Sequence, residues 1–243
     1  MKDTSSSSSS SSNREAANVR DRYARRDVGR DANRYSLSDP YALAAWQERQ
    51  RKMLSMLADA KLNDFSALDV LDVGCGSGGN LLDLLRLGVD PERLQGIELL
   101  PERAEAARAV LPAICRIWNE DALALQIPAA SQDVIVLFTV FSSILSDAVQ
   151  QQLAAQVWHW LKPGGAVLWH DFVYDNPRNP DVRAVPLQRV RELFPEAHMR
   201  KQRVTLAPPL GRAACRVSPA LYPLLNAVPL LRTHVLCTLA KPL

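Results

Sequence analysis

The stretch from Leu68 to Asn80 leaves the chain few folds to choose from. Leu68, Val70, Leu71 and Val73 are apolar, interrupted only by Asp69 and Asp72, and read as a buried strand. Gly74, Gly76, Gly78 and Gly79 follow, and Leu81, Leu82, Leu84 and Leu85 then resume at helical spacing, predicting a core helix over 78–87. Strand, glycine turn and helix in that order bring bare backbone to a helix N-terminus, where N–H groups without helical partners point outward at a ligand.

Two ligand classes use such a turn. Gly74, Gly76 and Gly79 satisfy the G-x-G-x-x-G pattern of dinucleotide enzymes, so an NAD-linked oxidoreductase is one reading. Asp72 argues for another, because a carboxylate two residues before the first glycine suits an ammonium-bearing ligand and repels a pyrophosphate. The run Asp72-x-Gly74-x-Gly76-x-Gly78 resembles the first motif of class I S-adenosylmethionine (SAM) methyltransferases. Leu161-Lys-Pro-Gly-Gly165 resembles the turn into strand five of the same family, and the resemblance spans roughly residues 66–172. It implies a Rossmann-like α/β fold: a seven-stranded, mostly parallel sheet with an antiparallel last strand and an N-terminal helical lid.

The cofactor implied is SAM. Around it the resemblance places Asp72, Gly74, Cys75, Gly76 and Gly78 of the turn, then Glu98 and Leu99 at the end of a second strand that starts at Leu94. A carboxylate at Glu98 accepts both ribose hydroxyls, a feature that NAD enzymes share. Asp121 matches the acid that meets the adenine amino group, and the backbone of Ala122 meets the ring. Asp133 to Phe138 is nearly all apolar, as a central parallel strand should be, so Phe138 and Thr139 leave it on the ligand side. The plain alternatives are a glycine-rich connector with no ligand for the turn after Asp72, a helix-capping or solvated acid for Glu98, and a loop acid capping the next turn for Asp121.

Composition narrows the setting. A chain of 243 residues fits one α/β domain with appendages, and a net charge of +3 is too small to imply a nucleic-acid partner. Cys75, Cys115, Cys215 and Cys237 form no C-x-x-C pair and read as reduced thiols of a cytoplasmic protein, with neither disulfides nor a metal site. The start is polar rather than a secretory signal, no apolar run reaches membrane-spanning length, and nothing marks an oligomer interface.

The domain organisation expected is a disordered serine-rich tail over 1–13, a helical lid over 14–62 and the SAM-binding domain over 63–243. The arginines of 14–34 alternate with acids and read as a solvated segment, or as a basic contact for an anionic acceptor or lipid. Asp39 and Pro40 open a helix to about Ala60, and Tyr35 and Tyr41 are candidates to close over the cofactor. Residues 208–231 form a proline-rich apolar insertion before the last strand. It either packs against the lid or offers a patch for a lipid-linked acceptor or peripheral membrane contact.

The acceptor side is less constrained. His170 and Asp171 end strand five on the ligand side, and Tyr174 follows in a polar run. An aliphatic hydroxyl acceptor needs a base, so His170 or Asp171 is the candidate catalyst and Tyr174 the candidate pocket wall, with structural roles the alternative for all three. The N/D-P-P-Y/F motif of amino-group methyltransferases is absent after strand four. The reading is therefore methyl transfer to a small-molecule or glycan acceptor, most simply at oxygen. A catalytically silent subunit of the same fold is the reading from another class.

Overall fold

The computed structural model describes residues 4–27, 36–175 and 179–243. Seven strands form one sheet in the order β3-β2-β1-β4-β5-β7-β6. In chain order they are β1 (Val70–Val73), β2 (Leu94–Ile97), β3 (Arg116–Trp118), β4 (Gln132–Phe138), β5 (Leu161–Phe172), β6 (His198–Leu206) and β7 (Arg232–Ala240). β1 to β5 pair parallel, and β7 lies antiparallel between β5 and β6. The order reverses at β1, whose neighbours are β2 and β4, so a crevice opens at the carboxyl ends there.

Eight helices accompany the sheet among the described residues: α1 (Thr4–Asp27), α2 (Pro40–Asp59), α3 (Gly79–Arg86), α4 (Pro101–Val110), α5 (Asp147–Trp160), α6 (Leu187–Leu193), α7 (Pro208–Val217) and α8 (Leu221–Asn226). One core layer joins Met53, Met56 and Leu57 of α2 to Leu81, Leu94 and Ala104. The other packs Trp160, Trp169 and Phe194 against Ile135 and Leu137. β4 and β5 are buried on both faces, hence their unbroken apolar runs. Asp39 caps α2 as its spacing predicts, accepting from the Ala42 N–H at 2.8 Å, with Pro40 in the first turn.

Three expectations change. The serine tract does not stay structureless, since α1 begins at Thr4. Serine gives up only a few tenths of a kcal/mol (~0.5) per residue as a helix former, so the turns packed further along can propagate back through it. The arginine segment is not simply solvated: Arg22 and Glu15 are buried and paired at 2.7 Å. Arg30, Arg34 and Tyr35 lie outside the described residues. Leu161–Gly165 is not a separate turn. The strand starts at Leu161 and takes up the extra residues as a bulge opposite Gln132 and Val134, while Lys162 pairs with Asp69 and Asp133 at 2.8 and 2.7 Å. The 208–231 insertion is two helices and a 3-10 turn, anchored to α2 on one side and exposed on the other.

Candidate functional site

The carboxyl ends of β1, β2 and β4 border a cavity of about 360 Å³, within the size range of small-molecule sites. The glycine turn forms one side: Val73, Gly74 and Gly76 line it, joined by Asn80 from α3. Gly76 has φ +57, and a Cβ there would meet no atom within 4 Å, so open space lies directly against its backbone.

Glu98, just past β2, is held by two backbone donors. Its Oε2 accepts from Gly76 N at 2.8 Å and its Oε1 from Leu100 N at 2.9 Å. Each carboxylate oxygen keeps acceptor capacity for a ligand hydroxyl. Leu99 and Leu100 extend this wall, and Glu120, Asp121, Ala122 and Leu123 face it from beyond β3. Asp121 Oδ1 accepts from Leu123 N at 3.0 Å, which fixes the loop.

Three residues expected at the cofactor stand one layer back from the cavity. Asp72 is wholly buried, its Oδ2 accepting from Asn80 Nδ2 at 3.3 Å and its Oδ1 left without a partner. Burial, with Glu98 nearby, pushes its carboxyl up to about 7 against the hydrogen bond from Asn80. Asn80, not Asp72, reaches the cavity wall. Cys75 is buried against the adjacent strands, and burial raises its thiol, so it is packing rather than a nucleophile. Gly78 takes the left-handed cap of α3 (φ +84) and faces Ala107 and Leu111 of the next helix.

Another side of the cavity is bordered by Phe138 at the end of β4, Thr139 and Val140 after it, His170 of β5 and Arg49 of α2. Thr139 has φ +57, a strained conformation for a β-branched residue, and is held by its N–H on the His170 carbonyl at 2.7 Å. The His170 ring stacks on His234 at 5.2 Å and meets Phe138 edge-on at 5.4 Å, and neither ring nitrogen has a hydrogen-bond partner. Burial first, then His234 and Arg49, hold its pKa well below the ordinary value, so the imidazole is neutral with one nitrogen able to accept a proton. The Arg49 guanidinium lies 5.3 Å from the Phe138 ring centroid, its Nε unpartnered. Burial pulls its pKa down, while Asp83 and Asp72 oppose that.

α1 covers the site. Glu15, Ala16, Val19 and Tyr23 line the cavity, and the helix is latched to the loop after β4. Arg22 donates to the Ser143 carbonyl at 2.9 Å, Glu15 accepts from Leu145 N at 2.9 Å, and Tyr23 hydrogen-bonds Ser143 Oγ at 3.1 Å.

Asp171 and Tyr174 do not line the cavity. Side chains alternate along a strand, so with His170 turned to the cavity Asp171 points to the other face. There its Oδ2 accepts from Ser142 N and its Oδ1 from Phe172 N, both at 3.0 Å. Burial raises its carboxyl to about 7 in spite of those bonds. Tyr174 is half exposed, and its hydroxyl accepts from Arg203 at 2.8 Å on the surface. Tyr41 is buried away from the cavity, its hydroxyl donating to the Leu206 carbonyl at 3.1 Å. The sequence reading missed Arg49, Asn80 and the α1 residues. Arg49 did leave a signal: it precedes Met53 by four residues and Met56 by seven, a charge on the buried stripe of α2.

Residues 70–165 match the model of a methyltransferase domain. That match covers about two fifths of the chain, and the sheet order is the one that solved SAM-dependent methyltransferases share. The human tRNA N(3)-cytidine methyltransferase METTL2B is 27% identical over 127 residues, covering 49% of this chain and 33% of that protein. The ribosomal protein L11 methyltransferase of Shewanella pealeana is 34% identical over 102 residues, 42% of this chain and 33% of that protein. The chain thus spans about a third of the length of these relatives. Among solved structures, a SAM-dependent methyltransferase from Archaeoglobus fulgidus superposes with TM-score 0.57 at 13% identity, covering 83% of this chain and 99% of its own. The StiE O-MT segment gives 0.55 at 21%, covering 89% and 79%. The [4+2]-cyclase SpnF gives 0.56 at 18%, covering 82% and 83%. That fold therefore carries more than one reaction, and chemistry has to be argued from the site.

The Archaeoglobus fulgidus protein is named as SAM-dependent, and the residues that line this cavity fit SAM. Glu98 offers a carboxylate with lone pairs to spare, Gly76 offers open backbone, Asn80 offers a donor beside the glycine turn, and Arg49 offers one from the side of His170.

Proposed function

We propose that the methyltransferase domain moves the methyl group of SAM to a hydroxyl oxygen of a small-molecule or saccharide acceptor. The observation that carries this reading is the covered cavity with a neutral, unpartnered imidazole on its wall. α1 roofs the site and is latched to residues 143–145, so a compact acceptor fits without dismantling the cover, whereas a folded macromolecule would have to displace it.

SAM, when bound, supplies a methyl group already activated on a sulfonium. In this reading Glu98 accepts the ribose hydroxyls, while Asp121 and the Ala122 backbone hold the adenine. Gly74, Gly76, Asn80 and Arg49 hold the amino-acid end, Arg49 taking the carboxylate. Phe138 and Thr139 exclude water and align the acceptor. His170 accepts the hydroxyl proton at a ring nitrogen, which its low pKa keeps vacant near neutral pH. Asp171 positions the loop through Ser142 and does not touch the acceptor.

A macromolecular acceptor is the second reading, favoured by the tRNA and ribosomal-protein activities named for the two relatives. Incubating the purified chain with tritiated SAM and a cell extract, then separating small molecules and glycans from tRNA and protein, distinguishes the two. Label in the small-molecule or glycan fraction is expected. Label confined to tRNA or protein would overturn the proposal, and calorimetric SAM binding with no label anywhere would point to a silent subunit.

A further inference from the structure

Residues 197–243 contain seven Lys and Arg and not one Asp or Glu. The whole chain is only +3, so the residues before them are net negative and the positive charge gathers at this end. Part of it is spent internally. Arg232 donates to the carbonyls of Asn226 and Arg203, Lys241 to those of Trp158 and Leu161, and Arg200 pairs with Asp59. Arg216, at the end of α7, and Lys201 are exposed.

The same region holds an apolar face turned outward. Leu210 and Val217 lie two turns apart on one side of α7, next to the stripe of buried Gly211, Ala214 and Cys215. Val217 is 80% exposed, Leu224 of α8 is 67% exposed and Leu230 in the turn that follows is 86% exposed. This is not a loose flap. A Cβ on Gly211 would fall 2.3 Å from the Tyr41 ring, so α7 lies directly against α2. Glu48 of α2, buried, accepts from Tyr222 at 2.8 Å, from Asn226 at 2.7 Å and from Thr205 N at 3.0 Å. The inner side of the α7–α8 hairpin is thus fixed by packing and by a satisfied carboxylate, and that fixes its leucines and valine facing water.

We propose that the outward face of the α7–α8 hairpin docks on an anionic lipid bilayer. Val217, Leu224 and Leu230 enter the headgroup boundary, and Arg216, in a segment that carries no acid of its own, meets the lipid phosphates. Charge selects the lipid: a net positive segment such as 197–243 gains from anionic headgroups and gains little from zwitterionic ones. The apolar residues select a bilayer over a nucleic acid. A nucleic-acid face offers aromatic rings for stacking, and the one aromatic ring of this hairpin, Tyr222, is buried. Placement gives the contact a purpose. β6 runs in the direction of β5, so the hairpin leaves the sheet at the edge where the cavity lies, and His234 near the start of β7 stacks on His170. A docked protein keeps that end of the cavity close to the membrane surface.

The surface does not depend on methyl transfer, and the test keeps the two apart. The full chain is floated with vesicles of phosphatidylcholine alone and of phosphatidylcholine with phosphatidylglycerol. Flotation with the anionic vesicles only, released by added salt, is expected. The double variant Leu224→Glu, Leu230→Glu should lower partitioning about tenfold or more, and Arg216→Glu about fivefold. Val110→Glu, exposed on α4, should leave it unchanged. Circular dichroism and calorimetric SAM titration, expected to match the parent, report that the variants fold. Equal flotation on both vesicle types, insensitivity to the double variant, or no flotation while tRNA binding is lost in Arg216→Glu would each overturn the proposal.

Discussion

The two ends of the cavity are built in different ways. The end bordered by the glycine turn, Glu98 and Asp121 is assembled from the exits of β1, β2 and β3, each within a few residues of a strand end. Its polar contacts are mostly short in sequence, as when Glu98 accepts from Leu100 and Asp121 from Leu123. The end around His170 draws on α1, α2, β5 and the loop after β4, and its ties are long. Arg22 reaches Ser143, and Glu15 reaches Leu145. A local site survives any change that leaves its own turn intact, whereas a distributed one depends on several elements packing at once. The first end suits a cofactor used by many chains of this fold, and the second suits an acceptor particular to this one.

His170→Gln breaks the comparison most sharply. If the imidazole takes the acceptor proton, turnover should fall about a hundredfold or more while SAM affinity stays within about twofold. Single-turnover methyl transfer beside calorimetric titration separates these outcomes, and unchanged turnover would remove His170 from the chemistry. Because its pKa lies well below the ordinary value, the parent's rate should stay flat through pH 6.5, where an ordinary histidine titrates, and drop only at lower pH.

The cofactor end answers to Glu98→Ala. The substitution removes the acceptor for the ribose and also frees the N–H groups of Gly76 and Leu100. Charge-assisted hydrogen bonds of this kind contribute about 2 kcal/mol, so SAM should bind roughly thirtyfold more weakly by calorimetry. Binding within a factor of two of the parent would mean that the turn and not the carboxylate holds the cofactor.

The same contrast explains which parts could be read from the chain. Asp72 to Gly78 and Glu98 carry their geometry in a few adjacent residues, and strands buried on both faces announce themselves as apolar runs, so the sheet and its glycine turn follow from local pattern. Asp171 and Tyr174 could not be placed that way. Whether a residue at a strand end faces the ligand depends on a one-residue phase, and that phase is set by the bulge at the start of β5 and by pairing with β7. The contacts that latch α1 were hidden for another reason. Its alternating charges look solvated until Arg22 finds Glu15 and a carbonyl more than a hundred residues away.

Loosening the cover should sharpen the contrast with a smaller effect. Arg22→Met leaves Glu15 buried without its partner, a state relieved when α1 lifts from the loop. SAM affinity should fall about tenfold, with faster hydrogen exchange in α1 and no change in β1 or β4. Pairing it with Glu15→Gln removes the stranded charge and should recover part of the loss. If exchange in α1 stays slow in the single variant, the latch does not hold the cover.

Asp171 gives the smallest and most specific effect. Its carboxyl, about 3.9 in an unfolded chain, stands at about 7 in the folded protein, so the folded state binds the extra proton between those values. Its stabilising contribution is complete below about pH 4 and is lost as pH rises through about 7. Asp72, also raised to about 7, acts in the same direction. Below about pH 6.5 the buried imidazoles of His170 and His234, both held low, act in the opposite direction, so the parent should lose a few degrees of Tm between about pH 6.5 and pH 8. Asp171→Asn cannot ionise, yet its amide oxygen can still accept from Ser142, so it should show a shallower slope over that range, leaving the share due to Asp72. A parallel drop in turnover that tracks the loosened loop, with no new ionisation in the rate profile, would mark Asp171 as a positioning residue. An identical slope in parent and variant would mean that Asp171 is already charged in the folded state and that the hydrogen bonds from Ser142 and Phe172 outweigh its burial.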